Sequence, residues 1–417
     1  MRYHITGFLF LVTVFRAFGQ GGYTLAEAES KFLNDNLLLL AEQYNVEAAG
    51  AWAIQAKLWD NPYFSAELNA LNPQENRVLD VGKAGQKGFA IEQLIHLGGQ
   101  KKNEVNLARS NVKLAELQFN DLLRNLKYQL RFSYFSIYYD MVSVAALDNQ
   151  ISNVDSLLAA YEVQVNKGNI ALKDMVRLRS LYLGLKNDRT MLAYDIIEQQ
   201  SILRLLLDSG TDVVPNPTTA ELQIYEQRPA LGVDVLAEAA SANRPDFLYA
   251  SQHVESNQWN VKWQKSLAIP DLTLGASYDQ RGGAFQNQVN LTLGLPLPLW
   301  NRNQGHIKLA EAELAQSQKL YELQSSKLQN EIITALQKYD EASANYQYIS
   351  SPNSDFNNFD RVYAGVLANF QKRNISLIEF TDFMESYQQS IIQSNNIRKD
   401  FAGACERINY TTSTPVF

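Results

Sequence analysis

Along this chain the spacing of apolar residues switches between a helical and a strand period in a fixed order. The whole order recurs about 205 residues later, which implies two copies of one supersecondary unit. From Thr24 to about Lys57 there is no proline and much Ala, Glu, Leu and Gln, a helical composition that Asn61-Pro62 ends. Phe64, Ala66, Leu68 and Ala70 then alternate with Ser65, Glu67 and Asn69, the period of a strand. A polar loop from Asn72 to Gly85 leads to a return strand, Gly88 to Leu97, with Phe89, Ile91 and Ile95 on one side. After Gly98-Gly99, apolar residues recur at three- and four-residue steps from Lys101 to Asn166. Such a helix of ~65 residues would run roughly 100 Å. Lys167-Gly168-Asn169 punctuates it, and a second helix is predicted from about Leu172 to Leu207.

Asp208-Ser209-Gly210, Pro215, Pro217 and Pro229 then mark an irregular insert over 209–231. The second copy follows. Gly232 to about Ser266 reads as helix with a break at Arg244-Pro245. Leu272, Leu274, Ala276 and Tyr278 alternate with Asp271, Thr273, Ser277 and Asp279, and Arg281-Gly282-Gly283 turns the chain. Val289, Leu291, Leu293, Leu295 and Leu297 alternate with Asn290, Thr292 and Gly294 until Pro296 and Pro298 end the strand. A long helix restarts at about His306, with Ile307, Ala310, Leu314, Ser317, Tyr321 and Leu328 in a coiled-coil stripe. Ser351-Pro352-Asn353 interrupts it, Arg373-Asn374 turns, and a last helix runs from Leu377 to about Arg407. The predicted organisation is therefore repeat 1 over 20–208 with a hairpin at 62–97, and repeat 2 over 232–409 with a hairpin at 270–298. A tail at 410–417 completes it.

Each predicted strand is about ten residues long, the span of a tilted membrane strand, with one apolar and one polar face. Two amphipathic hairpins on a soluble core would alternate in the same way. Four strands cannot close a barrel around water, whereas three chains would supply twelve. Helices of roughly 100 Å leave no globular core to pack on, so they must pack on each other or on other subunits. All five tryptophans stand near the helix-proximal ends of strands. Trp59, Trp263 and Trp300 are candidates for an aromatic belt at a membrane interface, while core packing competes for Trp52 and Trp259.

Composition narrows the classes. Apolar residues are 46% and charged residues 19%, enough for a buried core; the net charge of −7, with no Lys/Arg block, argues against a nucleic-acid partner. Arg2, the apolar run Gly7 to Val14 and Ala17-Phe18-Gly19 read as a secretory signal over 1–19, with an uncleaved anchor as the competing reading. No later run approaches the ~20 apolar residues of a spanning helix. An exported chain of this kind belongs to the periplasm, the outside, or an outer membrane crossed by a closed barrel. No catalytic constellation stands out. His96, His253 and His306 lie far from one another and from the lone Cys405, so neither a metal site nor a cofactor is expected, and no enzyme.

The order helix, β-hairpin, long helix, short helix, twice over behind a leader, resembles the TolC-like outer membrane efflux proteins. The segment Leu295-Pro296-Leu297-Pro298-Leu299-Trp300-Asn301-Arg302-Asn303-Gln304-Gly305-His306-Ile307 looks most like their heavy-metal (CzcC-like) branch. So do the tip motifs, Lys167 to Ile170 followed by Leu172, and Asn374 to Leu377 followed by Phe380. The resemblance covers about Tyr23 to Arg407 and implies a mostly α fold with transmembrane β. In it a homotrimer builds a twelve-stranded β-barrel in outer-membrane lipid, four strands per chain, continuous with a coiled-coil periplasmic tunnel. It implies a passive exit duct joined by a periplasmic adaptor (membrane fusion) protein to an inner-membrane pump of the RND type. Cargo would be heavy-metal cations, with drugs or secreted polypeptides as alternatives. Gly168, Asn169, Ile170, Arg373, Asn374, Ile375 and Ser376 become the candidate adaptor-contact tip, and Asp174 with Glu379 a candidate acidic ring at the entrance. Arg373 departs from the pattern, because glycine is usual there and a left-handed turn would strain an arginine. Outside this resemblance, a non-transport periplasmic coiled-coil protein and a monomeric soluble binding protein share the helical pattern.

Overall fold

A computed structural model describes residues 22–226, 232–282, 284–351 and 358–417. The secretory signal, Gly283 of the predicted turn and Pro352-Asn353 of the predicted interruption lie outside the described residues. The first helical stretch is broken where one helix was expected. α1 (Leu25–Asp35) opens on a capping box between Thr24 and Glu27, and α2 (Leu37–Gln55) follows after Asn36. Asn36 is buried, and its Nδ2 donates to the carbonyl of Leu206 at 2.9 Å. The backbone leaves the helical region at Asn36, with φ −65° and ψ 111°, and α1 ends there.

β1 (Tyr63–Leu68) is shorter than the ten residues expected. A two-residue hairpin, β2 (Leu71–Asn72) with β3 (Arg77–Val78), forms inside the predicted loop before β4 (Gln86–Ile95). α3 (Gln100–Asn166) is a single helix of 67 residues, and α4 (Leu172–Leu206) returns from it. The insert is not wholly irregular. It holds α5 (Thr219–Gln223) and a 3₁₀ turn whose Tyr225 is buried edge-on to Phe135, at 5.3 Å. The second copy comprises α6 (Val233–Asn243), α7 (Pro245–Ser266), β5 (Leu272–Arg281), β6 (Phe285–Gly294), α8 (Gln304–Ser350), α9 (Phe359–Gln371) and α10 (Leu377–Thr412). The break between α6 and α7 falls at Arg244-Pro245, as proline requires. α10 continues past Arg407 to Thr412, and Phe417 is buried against Tyr339 at 5.3 Å, so most of the expected tail is packed structure.

Two compact units emerge, each drawing on both copies. One holds the described residues within Met1–Asn36, Gln129–Arg228 and Ala342–Gly403. The other holds those within Leu37–Tyr128, Pro229–Glu341 and Ala404–Phe417. The first is helical, and its core is built at three- and four-residue steps. Leu147, Ile151 and Val154 of α3 meet Leu178, Leu181, Leu185 and Leu192 of α4, Tyr363 and Phe370 of α9, and Phe380, Met384 and Tyr387 of α10. Each such side chain contributes about 1.5–3 kcal/mol by leaving water. The second unit contains the four-stranded sheet, ordered β1-β4-β5-β6 with every pair antiparallel.

Candidate functional site

The register of the sheet brings its apolar positions into rows. Phe64 stands opposite Ile91, Ile91 opposite Ala276, and Ala276 opposite Leu291; the next row is Ala66, Phe89, Tyr278 and Val289. Directly opposed side chains share a face, so one face of all four strands is apolar. Phe64 stacks on Phe89 and Phe89 on Tyr278, each pair 6.4 Å between centroids. The face is uncovered, with Leu291 87% and Val289 71% exposed. Lys87, Gln93 and Gln280 lie on the same side toward the two ends, so the apolar part is a central patch, and a patch of this kind open to the surroundings marks an interaction surface for protein or lipid.

The opposite face carries Ser65, Ala90, Ser277 and Asn290 in one row and Glu67, Gly88, Asp279 and Gln288 in the next. Gln86 Nε2 donates to Glu67 Oε1 at 3.0 Å and Gln288 Nε2 to Asn290 Oδ1 at 3.0 Å, while Asp279 Oδ1 is buried without a hydrogen-bond partner. Gly275 sits between Glu92 and Thr292, where a Cβ would come within 2.4 Å of the Thr292 hydroxyl. Asp271, expected on this face, precedes β5 and instead lies beside His96. β1 and β6 are the outer strands of the sheet, so each presents a row of backbone donors and acceptors outward.

In the helical unit the two tips repeat one turn. Gly168, with φ 75°, and Arg373, with φ 62°, both take the left-handed conformation. Asn169 N–H donates to the Gln164 carbonyl and Gly168 N–H to that of Val165, each at 2.9 Å. Asn374 N–H to Asn369 and Arg373 N–H to Phe370 reproduce both bonds at the same 2.9 Å. This is the Schellman helix ending. Its usual apolar contact is replaced by side-chain hydrogen bonds, Asn169 to Gln164 at 2.8 Å and Asn374 to Asn369 at 3.1 Å. Gln164 and Asn369 were missed in the sequence, although an amide five residues before each tip asparagine was the signal.

The helices that follow begin differently. Ser376 caps α10, its backbone N–H donating to Glu379 at 2.7 Å and its hydroxyl accepting from the Glu379 N–H at 3.2 Å. Those bonds hold the Glu379 carboxyl below its ordinary range. α4 begins at Ala171, which offers no side-chain cap, and Asp174 occupies the matching position. Ile170 and Ile375 are half-buried; Ile375 packs on the cluster around Phe380, while Gly168, Asn169, Arg373, Asn374 and Ser376 are exposed. Phe370 stacks between Tyr161 at 6.3 Å and Phe380 at 4.1 Å. Burial, then the charge of Asp174, push the Tyr161 hydroxyl above its ordinary range, and Arg373 opposes them. Asp174 and Arg373 thus act on one ring from different tips.

Of the tryptophans, Trp300 is 85% exposed, Trp52 and Trp59 are exposed, and Trp259 and Trp263 are half-buried. Trp52 is therefore not a core residue. Trp259 carries the Lys262 ammonium over its ring at 3.9 Å, and Trp59 stacks on His96 at 6.2 Å. Among the described residues no group of histidine, cysteine and carboxylate side chains is arranged to hold a metal, and no helix is long and apolar enough to cross a membrane.

Comparison with known proteins follows the same lines. The sequence profile described as outer membrane efflux protein matches residues 236–351. The cobalt-zinc-cadmium resistance protein CzcC of Cupriavidus metallidurans is 24% identical over 315 residues, 74% of this chain and 72% of CzcC. The nickel and cobalt resistance protein CnrC of the same organism is 23% identical over 291 residues, 67% of this chain and 65% of CnrC. Among solved structures, CusC superposes with a TM-score of 0.70 over 96% of this chain and 95% of its own, at 17% identity. CusC is known for conformational changes that accompany folding and transmembrane channel formation. The fold is that of TolC-like channels, and these relatives are efflux proteins rather than enzymes. Residues 236–351 thus carry an outer membrane efflux protein domain, and the chain as a whole is similar to CzcC and CnrC in sequence and to CusC in fold.

Proposed function

We propose that three copies of this chain form the outer-membrane exit duct of a tripartite efflux system. The observation that carries this reading is the open four-stranded sheet, apolar on one side and polar on the other, with both outer strands unsatisfied. Four strands cannot enclose water, and a barrel of twelve removes every edge, turns the apolar rows to lipid and the polar rows to a wet path. Trp59, Trp263 and Trp300 form the belt at the helix-proximal membrane interface. The helices extend into the periplasm. There the tips, Gly168 to Ile170 and Arg373 to Ser376, meet a periplasmic adaptor protein that couples the duct to an inner-membrane pump of the RND type. Asp174 and Glu379 then supply six carboxylates near the entrance, favouring cations.

Heavy-metal cations as cargo rest on the resistance functions for which CzcC and CnrC are named. Among the described residues no group of side chains is arranged to hold a metal, so this reading leaves cargo selection to the pump. Fractionation followed by size exclusion with light scattering tests the assembly. Outer-membrane recovery at three times the chain mass supports the duct, whereas a soluble single chain refutes it. Deletion of the gene in its host tests cargo, with increased sensitivity to cobalt, zinc, cadmium or nickel as the expected result.

A further inference from the structure

His96 is the first residue after β4 and lies on the helix side of the sheet, between two carboxylates that precede neighbouring strands. Its Nε2 is 2.6 Å from Oδ2 of Asp60, ahead of β1, and its Nδ1 is 3.2 Å from Oδ2 of Asp271, ahead of β5. The side chain is only 18% exposed. Trp59 covers the ring by stacking, and Gln93 Nε2 holds the Asp60 backbone carbonyl at 3.0 Å. Ionised carboxylates only accept hydrogen bonds, and a neutral imidazole donates from one nitrogen alone. Asp60 is in hydrogen-bond range of Nε2, and Asp271 is in charge contact with a buried Nδ1 that has no hydrogen-bond partner, so both contacts are favourable together only when the ring carries two protons.

We propose that His96 is an acid-strengthened clasp that, as an imidazolium, ties the roots of β1 and β5 to the end of β4. Asp60 and Asp271 are the charged groups acting on the ring from the packed segments, while Lys101, in the first turn of α3, turns to Glu104 at 3.0 Å. Burial alone would drive the proton off. Asp271 and then Asp60 outweigh it and hold the ring protonated above the ordinary histidine value of 6.5. The folded value being raised, the clasp is fully closed below 6.5 and opens as pH climbs through the folded value. The second hairpin has no counterpart. Its exit from β6 runs through Pro296 and Pro298, which stiffen the backbone without a titratable group.

Diethyl pyrocarbonate acylates neutral but not protonated imidazole, so its reaction with the full chain in detergent, followed by peptide mass spectrometry across pH, reports each histidine's proton. The expected midpoint for His96 lies above the ordinary histidine value of 6.5. Asp60→Asn and Asp271→Asn should each lower it, with about tenfold faster reaction below the midpoint for each unit lost. A His96 midpoint at or below 6.5, or one unmoved by both substitutions, overturns the proposal. Should those variants fail to fold, melting of wild type against His96→Gln decides. A wild-type advantage near about pH 5 that vanishes by about pH 9 supports the clasp, and a pH-independent difference overturns it.

Discussion

Gly168 and Arg373 hold the same place in two copies of one turn, with matching backbone hydrogen bonds and φ of 75° and 62°. Glycine adopts that conformation freely, whereas an L side chain costs about 1–2 kcal/mol. The tips differ again one turn later. Repeat 2 has a full capping box at Ser376 and Glu379, and repeat 1 has Ala171 with no side-chain cap. A cap contributes about 1 kcal/mol, so the first tip is a relaxed turn before an uncapped helix and the second a strained turn before a capped one. Equivalent geometry has been reached by two partitions of similar energy. The comparison shows that the helix ending is dictated by its six-residue hydrogen-bond frame and core, and that glycine is a convenience there.

The breaks between paired helices repeat the lesson at higher stakes. Asn36 fills the first, its amide donating to the Leu206 carbonyl. Arg244 fills the second, 2% exposed, with its guanidinium 2.6 Å from Asp246 and 2.8 Å from Glu331. Burial opposes the charge on Asp246, but Arg244 and Arg124 outweigh it and keep its carboxyl below the ordinary range.

The largest expected effect is therefore at the second break. Arg244→Leu takes from part-buried Asp246 its nearest cation, leaving Arg124 at 3.4 Å, and should destabilise the fold by about 3 kcal/mol, read as a lowered melting temperature. Asn36→Ala leaves the Leu206 carbonyl unpaired, for a smaller loss of about 1–3 kcal/mol in the same assay; parity between the two would erase the distinction. At the tips the effects should have opposite signs. Arg373→Gly is expected to stabilise by about 1 kcal/mol and Gly168→Arg to destabilise by as much, because each imports the other tip's residue into an equivalent backbone. Ser376→Ala should cost about 1 kcal/mol and Ala171→Ser should recover part of that at the other tip, measured by hydrogen exchange in the first turns of α10 and α4. The smallest effect is in pH. The lowered Glu379 carboxyl means the α10 cap is intact above the ordinary 4.5 and lost as pH falls through the lower folded value, with no parallel loss at Ala171.

Much of this was legible along the chain, for reasons of period. Strand alternation from Phe64 and from Val289, the unbroken helical stretch from Lys101 to Asn166, and the punctuation at Gly168 and Pro245 are local signals that packing had no cause to override. Where the reading failed, a distant partner intervened. The helix end at Asn36 has the Leu206 carbonyl as partner, the ordered turn in the insert has Phe135 against Tyr225, and the segment after α10 has Phe417 against Tyr339. The Glu379 cap is local and legible, since Ser376 and Glu379 have capping-box spacing.

The sequence by itself determined the repeat, the type of nearly every element and the two-faced character of the strands, because each follows from neighbours a few residues away. Only the tertiary structure decided which strand stands beside which, and in what register. Strand order β1-β4-β5-β6, the alignment of Phe64, Ile91, Ala276 and Leu291 in one row, and the meeting of Asp60, His96 and Asp271 join residues from both copies. Alternation states that a strand has an apolar face; only pairing across the chain brings four such faces onto one side of a sheet.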